Sequence, residues 1–164
     1  MDGSRLIPLT KGQSAIVDEE DFLRLSAFKL YAQWNPLIRG FYAARRDYPT
    51  GRPGIMVFMH REILGLTRGD RRQGDHANCQ TLDNRRSNLR IATRSQNMTN
   101  KPLSRNNKSG FKGVCYSASK KKYIATIRVD GKRLWLGSFV APTDAHEAYK
   151  EAAITHFGAF ARWQ

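Results

Sequence analysis

"GDHANCQTLDNRRSNLRIATRSQN", residues 74–97, sets the pair Asp75-His76 upstream of two spaced asparagines, Asn88 and Asn97, among four arginines. His76 titrates near neutral pH, which suits a general base. In a strand-like "GDHA", Asp75 would point to the opposite face, where a carboxylate oxygen can hold a hard cation. Thr93-Arg94-Ser95-Gln96 reads as a capping box opening a short helix, with Asn97 one turn in and its amide oxygen a candidate second ligand for the same ion. Cutting a phosphodiester requires a base for water, a cation for the developing charge and a frame that holds both. Taken singly, an Asp-His pair is ordinary surface polarity and the asparagines of "LDNRRSN" are turn formers. Their combination is what points to a site.

The rest of the composition narrows the partner. Among 164 residues, 28 are Lys or Arg and 14 are Asp or Glu, a net charge of +14, more than solubility requires and suited to a polyanion. The excess is not a tail: it is +4 over residues 1–73, +5 over 74–108 and +5 over 109–164. Nucleic acid is the first partner to consider. A hydrophobic content of 40% is enough for one domain or two small ones, with no large core. No apolar run reaches the roughly 20 residues of a membrane span, and "MDGSRLIPLT" lacks the layout of a secretion signal, so a soluble, cytoplasmic protein is expected. Cys79 and Cys115 are too few and too separate for a disulfide framework. With His60 and His76 they lack paired-ligand spacing, so no structural zinc is expected.

Upstream of the quoted stretch, "RLIPL", "KLYAQW", "GFYAAR" and "IMVFMH" read as short strands separated by turn residues. Asp18 followed by "EEDFLRLSAF" reads as a short helix, with carboxylates in its first turn and Phe22, Leu25 and Phe28 facing inward. Downstream, "TNKPLSRNNKS" is polar and aperiodic and reads as a linker, with Pro102 stopping the preceding helix. Then come three strand candidates, "GFKGVCYS", "KYIATIRV" and "KRLWLGSF", the last two joined by Asp130-Gly131, a tight-turn signal. Alternation in "RLWLG" sends Arg133 and Trp135 to one face and Leu134 and Leu136 to the other. Ala145, Ala148, Tyr149, Ala152, Ala153 and His156 recur at helical spacing before Gly158, so a terminal helix should pack on a three-stranded sheet.

The residues of the opening stretch resemble the HNH endonucleases of the phage and mobile-element branch, whose ββα-metal motif has a strand bearing Asp-His, a loop, a second strand and a helix. His76 to Asn88 is 12 positions and Asn88 to Asn97 is 9, with "LRIA" at 89–92 in place of the second strand. The resemblance covers about residues 73–100. It implies that His76 is the general base, that Asp75 and Asn97 bind one divalent metal, Mg²⁺ or another such as Mn²⁺, and that Asn88 pins the loop holding His76. His60, in "FMHREILGL", matches a Met-His-Arg segment common upstream of the motif; it reads either as a packing or hydrogen-bonding histidine at a strand-to-helix junction or as a phosphate contact or accessory residue, and is a second-tier site residue. Arg85, Arg86, Arg90 and Arg94 flank the motif as phosphate contacts. One departure is visible: family members carry an Asn-Gly type turn after the Asp-His strand, where this chain has "ANCQT".

Residues 109–163 resemble the plant ethylene-response-factor, or Apetala-type, DNA-binding domain through "GFKGV", "IATIRV", "KRLWLGSF" and "AYKEAAITHFGAFAR". This implies a sheet laid in the major groove, with Lys112, Arg128, Arg133 and Trp135 on the DNA-facing side. Thr126 stands where an acidic residue is usual and Cys115 where a basic one is, so no base preference is carried over.

The expected architecture is therefore α+β: an HNH region over 1–98, a linker over 99–108, and a three-stranded antiparallel sheet on one C-terminal helix over 109–164. The expected function is hydrolysis of double-stranded DNA in a bacterial or phage-infected cell. One such centre cuts one strand at a time, and double-strand cleavage would need a homodimer, two binding events or repositioning. The alternatives are a DNA-binding regulator or architectural protein with an inactive motif, and an RNA-binding protein.

Overall fold

A computed structural model describes residues 3–51, 53–104 and 106–163, with ten strands and four α-helices in small sheets among them. The chain is α+β and forms two compact units, Met1–Ala92 and Thr93–Gln164. No helix among the described residues is long and apolar enough to cross a membrane.

In the first unit, β1 (Ser4–Pro8) and β2 (Ser14–Asp18) form an antiparallel hairpin, followed by α1 (Glu19–Ser26). A second antiparallel sheet, in the order β3 (Tyr31–Asn35), β4 (Gly40–Asp47), β5 (Ile55–Phe58), leads into α2 (Met59–Ile63). The two-stranded sheet of β6 (Gln73–His76) and β7 (Leu89–Ala92) completes the unit. Hairpins of this size are marginal alone. They are held by a shared cluster of Ile7, Val17, Leu25, Met59, Ile63 and Leu89, each less than 9% exposed.

Two local expectations shift for physical reasons. "IMVFMH" does not continue as a strand past Phe58, because Met59 and Ile63 bury together at helical spacing and draw the chain into α2. His60 therefore projects from a helix. Phe28 lies beyond α1 and is 43% exposed, its ring covered by the Arg45 guanidinium at 4.1 Å rather than by the core.

The second unit opens with α3 (Arg94–Asn100), capped as its sequence predicts. The Thr93 hydroxyl accepts from the Gln96 backbone N–H at 3.2 Å, and the Gln96 side chain accepts from the Thr93 N–H at 2.8 Å. Lys101, the residue before Pro102, is extended (ψ 140°), so the helix stops there. The Lys112 ammonium donates to the carbonyls of Thr99 and Lys101, satisfying acceptors that a helix end leaves open.

β8 (Val114–Ser117), β9 (Lys122–Val129) and β10 (Lys132–Phe139) form an antiparallel sheet in the order β10-β9-β8. Asp130 and Gly131 both have positive φ, 47° and 82°, as a two-residue hairpin turn requires. α4 (Pro142–Phe157) lays Ala145, Tyr149, Ala153 and Phe157 against Val114, Ala125 and Ile127 of the sheet, and Gly158 ends it.

The approach is closest at Gly113 (φ 73°), where an added Cβ would sit 2.0 Å from Cδ2 of Tyr149. Backbone strain and a buried clash then act together. Gly113→Ala should destabilise the second unit by about 3 kcal/mol. Hydrogen exchange of the β8–β10 amides measures this, and unchanged protection would contradict the contact.

Candidate functional site

Antiparallel register sets Asp75 opposite Arg90 and His76 opposite Leu89, with both site residues buried, 4% and 5% exposed. Because adjacent strand residues face opposite ways, the carboxylate and the imidazole are presented separately. The Arg90 Nε donates to Asp75 Oδ2 at 2.7 Å.

The twelve residues joining His76 to Leu89 are mostly polar, yet they are fixed. Asn88 does most of this. Its Oδ1 accepts from the Asn78 backbone N–H at 3.0 Å, its Nδ2 donates to the Asp83 carbonyl at 2.7 Å, and its own carbonyl accepts from the Ala77 N–H at 2.9 Å. Both halves of the loop are thus tied to one side chain. Asn78 also donates to Asp83 Oδ2 at 2.9 Å and accepts from the Gln80 N–H at 2.8 Å. Outside the loop, the Asn84 N–H donates to the Ile16 carbonyl at 2.7 Å and the Thr81 hydroxyl to the Phe41 carbonyl at 2.6 Å, fastening it to β2 and β4. The turn "ANCQT" closes with Cys79 N–H donating to the His76 carbonyl at 2.9 Å. Cys79 adopts φ 63°, the left-handed conformation that glycine takes at least cost.

Rings surround the histidine. His60 lies edge-on to His76 with centroids 5.0 Å apart, and Tyr42 contacts both, at 5.3 and 6.0 Å. Phe58 also lies against His60, with ring centroids 5.7 Å apart. Only glycine fits opposite at position 74, where a Cβ would come within 2.5 Å of the His60 ring. Burial lowers the His76 pKa, against the opposing pull of its Asn84 hydrogen bond and the Asp75 and Asp83 charges. Burial also raises that of the Tyr42 hydroxyl, with the Asp75 charge adding to it.

The four arginines of the stretch are placed differently. Arg85 grips Asp83 with two bonds of 2.8 Å, which hold that carboxyl below its usual range. Arg86 reaches α1, donating from its backbone to Asp18 at 2.7 Å and from its guanidinium to Asp21 at 2.8 and 3.0 Å. Arg90 pairs with Asp75, and Arg94 is exposed at the start of α3. Three of the four thus have carboxylate partners within the first unit.

Asp75, His76, Asn88 and His60 are gathered in the first unit, while Asn97 lies on α3, its N–H donating to the Thr93 carbonyl at 3.0 Å. In the second unit, cross-strand register sets Arg128 directly against Arg133 and Thr126 against Trp135, on the sheet face opposite the buried Ala125 and Ile127. Both arginines are exposed and Trp135 is 65% exposed. Lys112 lies in the loop before β8, held to α3 as described. Among the described residues, no group of three or more His, Cys, Asp or Glu side chains could hold a metal.

Sequence reading passed over Asn84, Tyr42 and Gly74. Asn84 reads as one more turn former, and nothing in the linear pattern ties it to a histidine eight positions away. In comparisons with family profiles, curated proteins and solved structures, nothing matches this chain.

His60 carries a measurable consequence. Its Nδ1 is buried without a hydrogen-bond partner, and burial, with the neighbouring His76 and Arg61, lowers its pKa from 6.5 to about 3. Between those values the unfolded chain binds a proton that the folded chain does not. Stability should therefore fall as the pH drops below about 6.5, by up to about 1.4 kcal/mol per pH unit. Urea denaturation at pH 7.5 and 5.5 would read this. His60→Leu should reduce the slope by one proton, and an unchanged slope would mean that His60 takes up its proton when folded.

Proposed function

We propose that this chain is a DNA endonuclease of the HNH class, hydrolysing phosphodiester bonds at Asp75 and His76 and gripping duplex DNA with the exposed sheet of its second unit. The observation that carries the reading is the Asn88 clasp. The resemblance assigns to Asn88 the holding of the His76 loop, and its amide bonds to Asn78 and Asp83 are the kind that assignment needs.

In this reading a neutral His76 accepts a proton from water as the oxygen attacks phosphorus. The P–O3′ bond breaks, leaving a 5′-phosphate and a 3′-oxygen that takes a proton from solvent. The lowered pKa of His76 suits the role, because the imidazole stays unprotonated at neutral pH. Asp75 is the residue of the first unit that would hold a divalent ion, a role the resemblance gives it together with Asn97. Their donors are hard oxygens, which fit Mg²⁺ or Mn²⁺, ions that keep several waters and need only one or two carboxylates. Such an ion, when bound, supplies positive charge to the leaving oxygen.

The sheet face supports DNA as substrate. Like charges directly opposite on adjacent strands repel. Arg128 and Arg133 stand so, with no carboxylate partner among the described residues, an arrangement that a phosphate backbone would relieve.

A second reading, a DNA-binding regulator that does not cut, is favoured by the Arg90–Asp75 pair, which already occupies one carboxylate oxygen. Nicking of supercoiled plasmid with Mg²⁺ separates the two. The nuclease reading expects cleavage by the wild type and a loss of at least about 100-fold in His76→Ala. Equal cleavage by both would refute the assigned base, and none by either would favour the regulator. The substitution pair Arg128→Ala, Arg133→Ala should weaken duplex binding and lower the slope of log affinity against log salt by about 2. An unchanged slope would remove the sheet from the DNA interface.

A further inference from the structure

Asn84 is 1% exposed, and its side-chain amide lies between two groups: His76 Nε2 at 3.3 Å and the Leu82 carbonyl oxygen at 3.2 Å. A carbonyl oxygen can only accept a hydrogen bond. The end of the amide facing Leu82 is therefore its NH₂, and Oδ1 faces the imidazole. The reverse orientation would press two acceptor oxygens together at that distance around a side chain that is almost fully buried, an arrangement with no compensating bond. Leu82 is itself immobilised, since the same carbonyl accepts from the Ile16 N–H at 2.8 Å, and the Asn84 backbone is tied to Ile16 in turn.

An amide oxygen is also only an acceptor, so the Nε2 facing it carries hydrogen. In a neutral imidazole the lone pair is then on Nδ1. We infer that Asn84 is a positioning residue that fixes His76 as its Nε2–H tautomer and makes Nδ1 the nitrogen that receives the proton from water. The second half of this inference rests on the nuclease reading, whereas the tautomer stands without it. The chain of contacts begins at β2, so a hairpin remote from residues 74–97 in sequence sets which nitrogen is basic. Tyr42 and His60 lie against the imidazole as rings, and the charges of Asp75 and Asp83 also reach it.

Long-range ¹H–¹⁵N correlation spectra of the full chain at pH 8 read the tautomer directly. The inference expects a protonated Nε2 and an unprotonated Nδ1 for His76, and a protonated Nδ1 would overturn it whether or not the protein cuts DNA. Two variants then test the positioning role. Asn84→Asp keeps an acceptor toward His76 but cannot donate to Leu82, and Asn84→Leu loses both. Single-turnover nicking should fall about 100-fold in Asn84→Leu and stay within about tenfold of wild type in Asn84→Asp. Equal losses in the two would mean that Asn84 acts only through Leu82, as a structural staple. A wild type that does not cut, yet shows the Nε2–H tautomer, would sink the nuclease reading and leave the Asn84–His76 assignment standing.

Discussion

The candidate site depends on one residue that fastens the loop beside it. Asn88 bonds to Asn78 and to Asp83 through the two ends of its amide, and to Ala77 through its carbonyl. A polar loop with few apolar side chains has little hydrophobic burial to offset the entropy of ordering it. Here buried hydrogen bonds replace that burial, and each is worth more for lying away from water. Asp75 and His76 sit at the end of a strand only four residues long. Without the clasp, that strand and its partner would be a two-stranded hairpin with little to keep it in register.

Charge is arranged by the same logic. In the first unit, Arg85, Arg86 and Arg90 bind Asp83, Asp21 and Asp75, so much of the basic character around the candidate site is structural. Arg86 is the clearest case: burial would raise the Asp21 pKa, but Arg86 and Arg24 outweigh it and hold the carboxyl below its usual range. Neutralised pairs of this kind build a frame and contribute little to attracting phosphate. On the sheet of the second unit the arginines face each other instead, and an exposed tryptophan lies beside them. A repulsive, partly apolar face of that kind has its natural complement in a polyanion, which is why the DNA-binding part of the proposal is drawn from this surface.

Local rules were enough for many of the elements. The capping box at Thr93–Gln96, the Asp130-Gly131 turn, the strand at 89–92 and the repeat of alanines in α4 depend on neighbours within a few residues, and each is found where those neighbours put it. Asp75, His76 and Asn88 were legible as candidates for the same reason: their residue types and spacing are carried in one continuous stretch. The departure "ANCQT" was also visible, but not its resolution, because whether a cysteine can hold a left-handed conformation depends on the bonds around it.

What tertiary structure alone decided is who meets whom. Gly74 and Tyr42 converge on His60 from separate segments, and Asn84 reaches His76 from a loop whose backbone Ile16 holds. It also decided which arginines are paired, since Arg86 meets Asp21 across 65 positions of sequence. Hydrophobic periodicity reports the face a residue turns, not the polar partner it finds, and a hydrogen bond between distant segments leaves no pattern in either one. The sequence by itself determined many of the elements and the reactive residue types; in the first unit, the packing of short, individually unstable hairpins around a shared core determined their burial, their partners and the nitrogen that Asn84 faces.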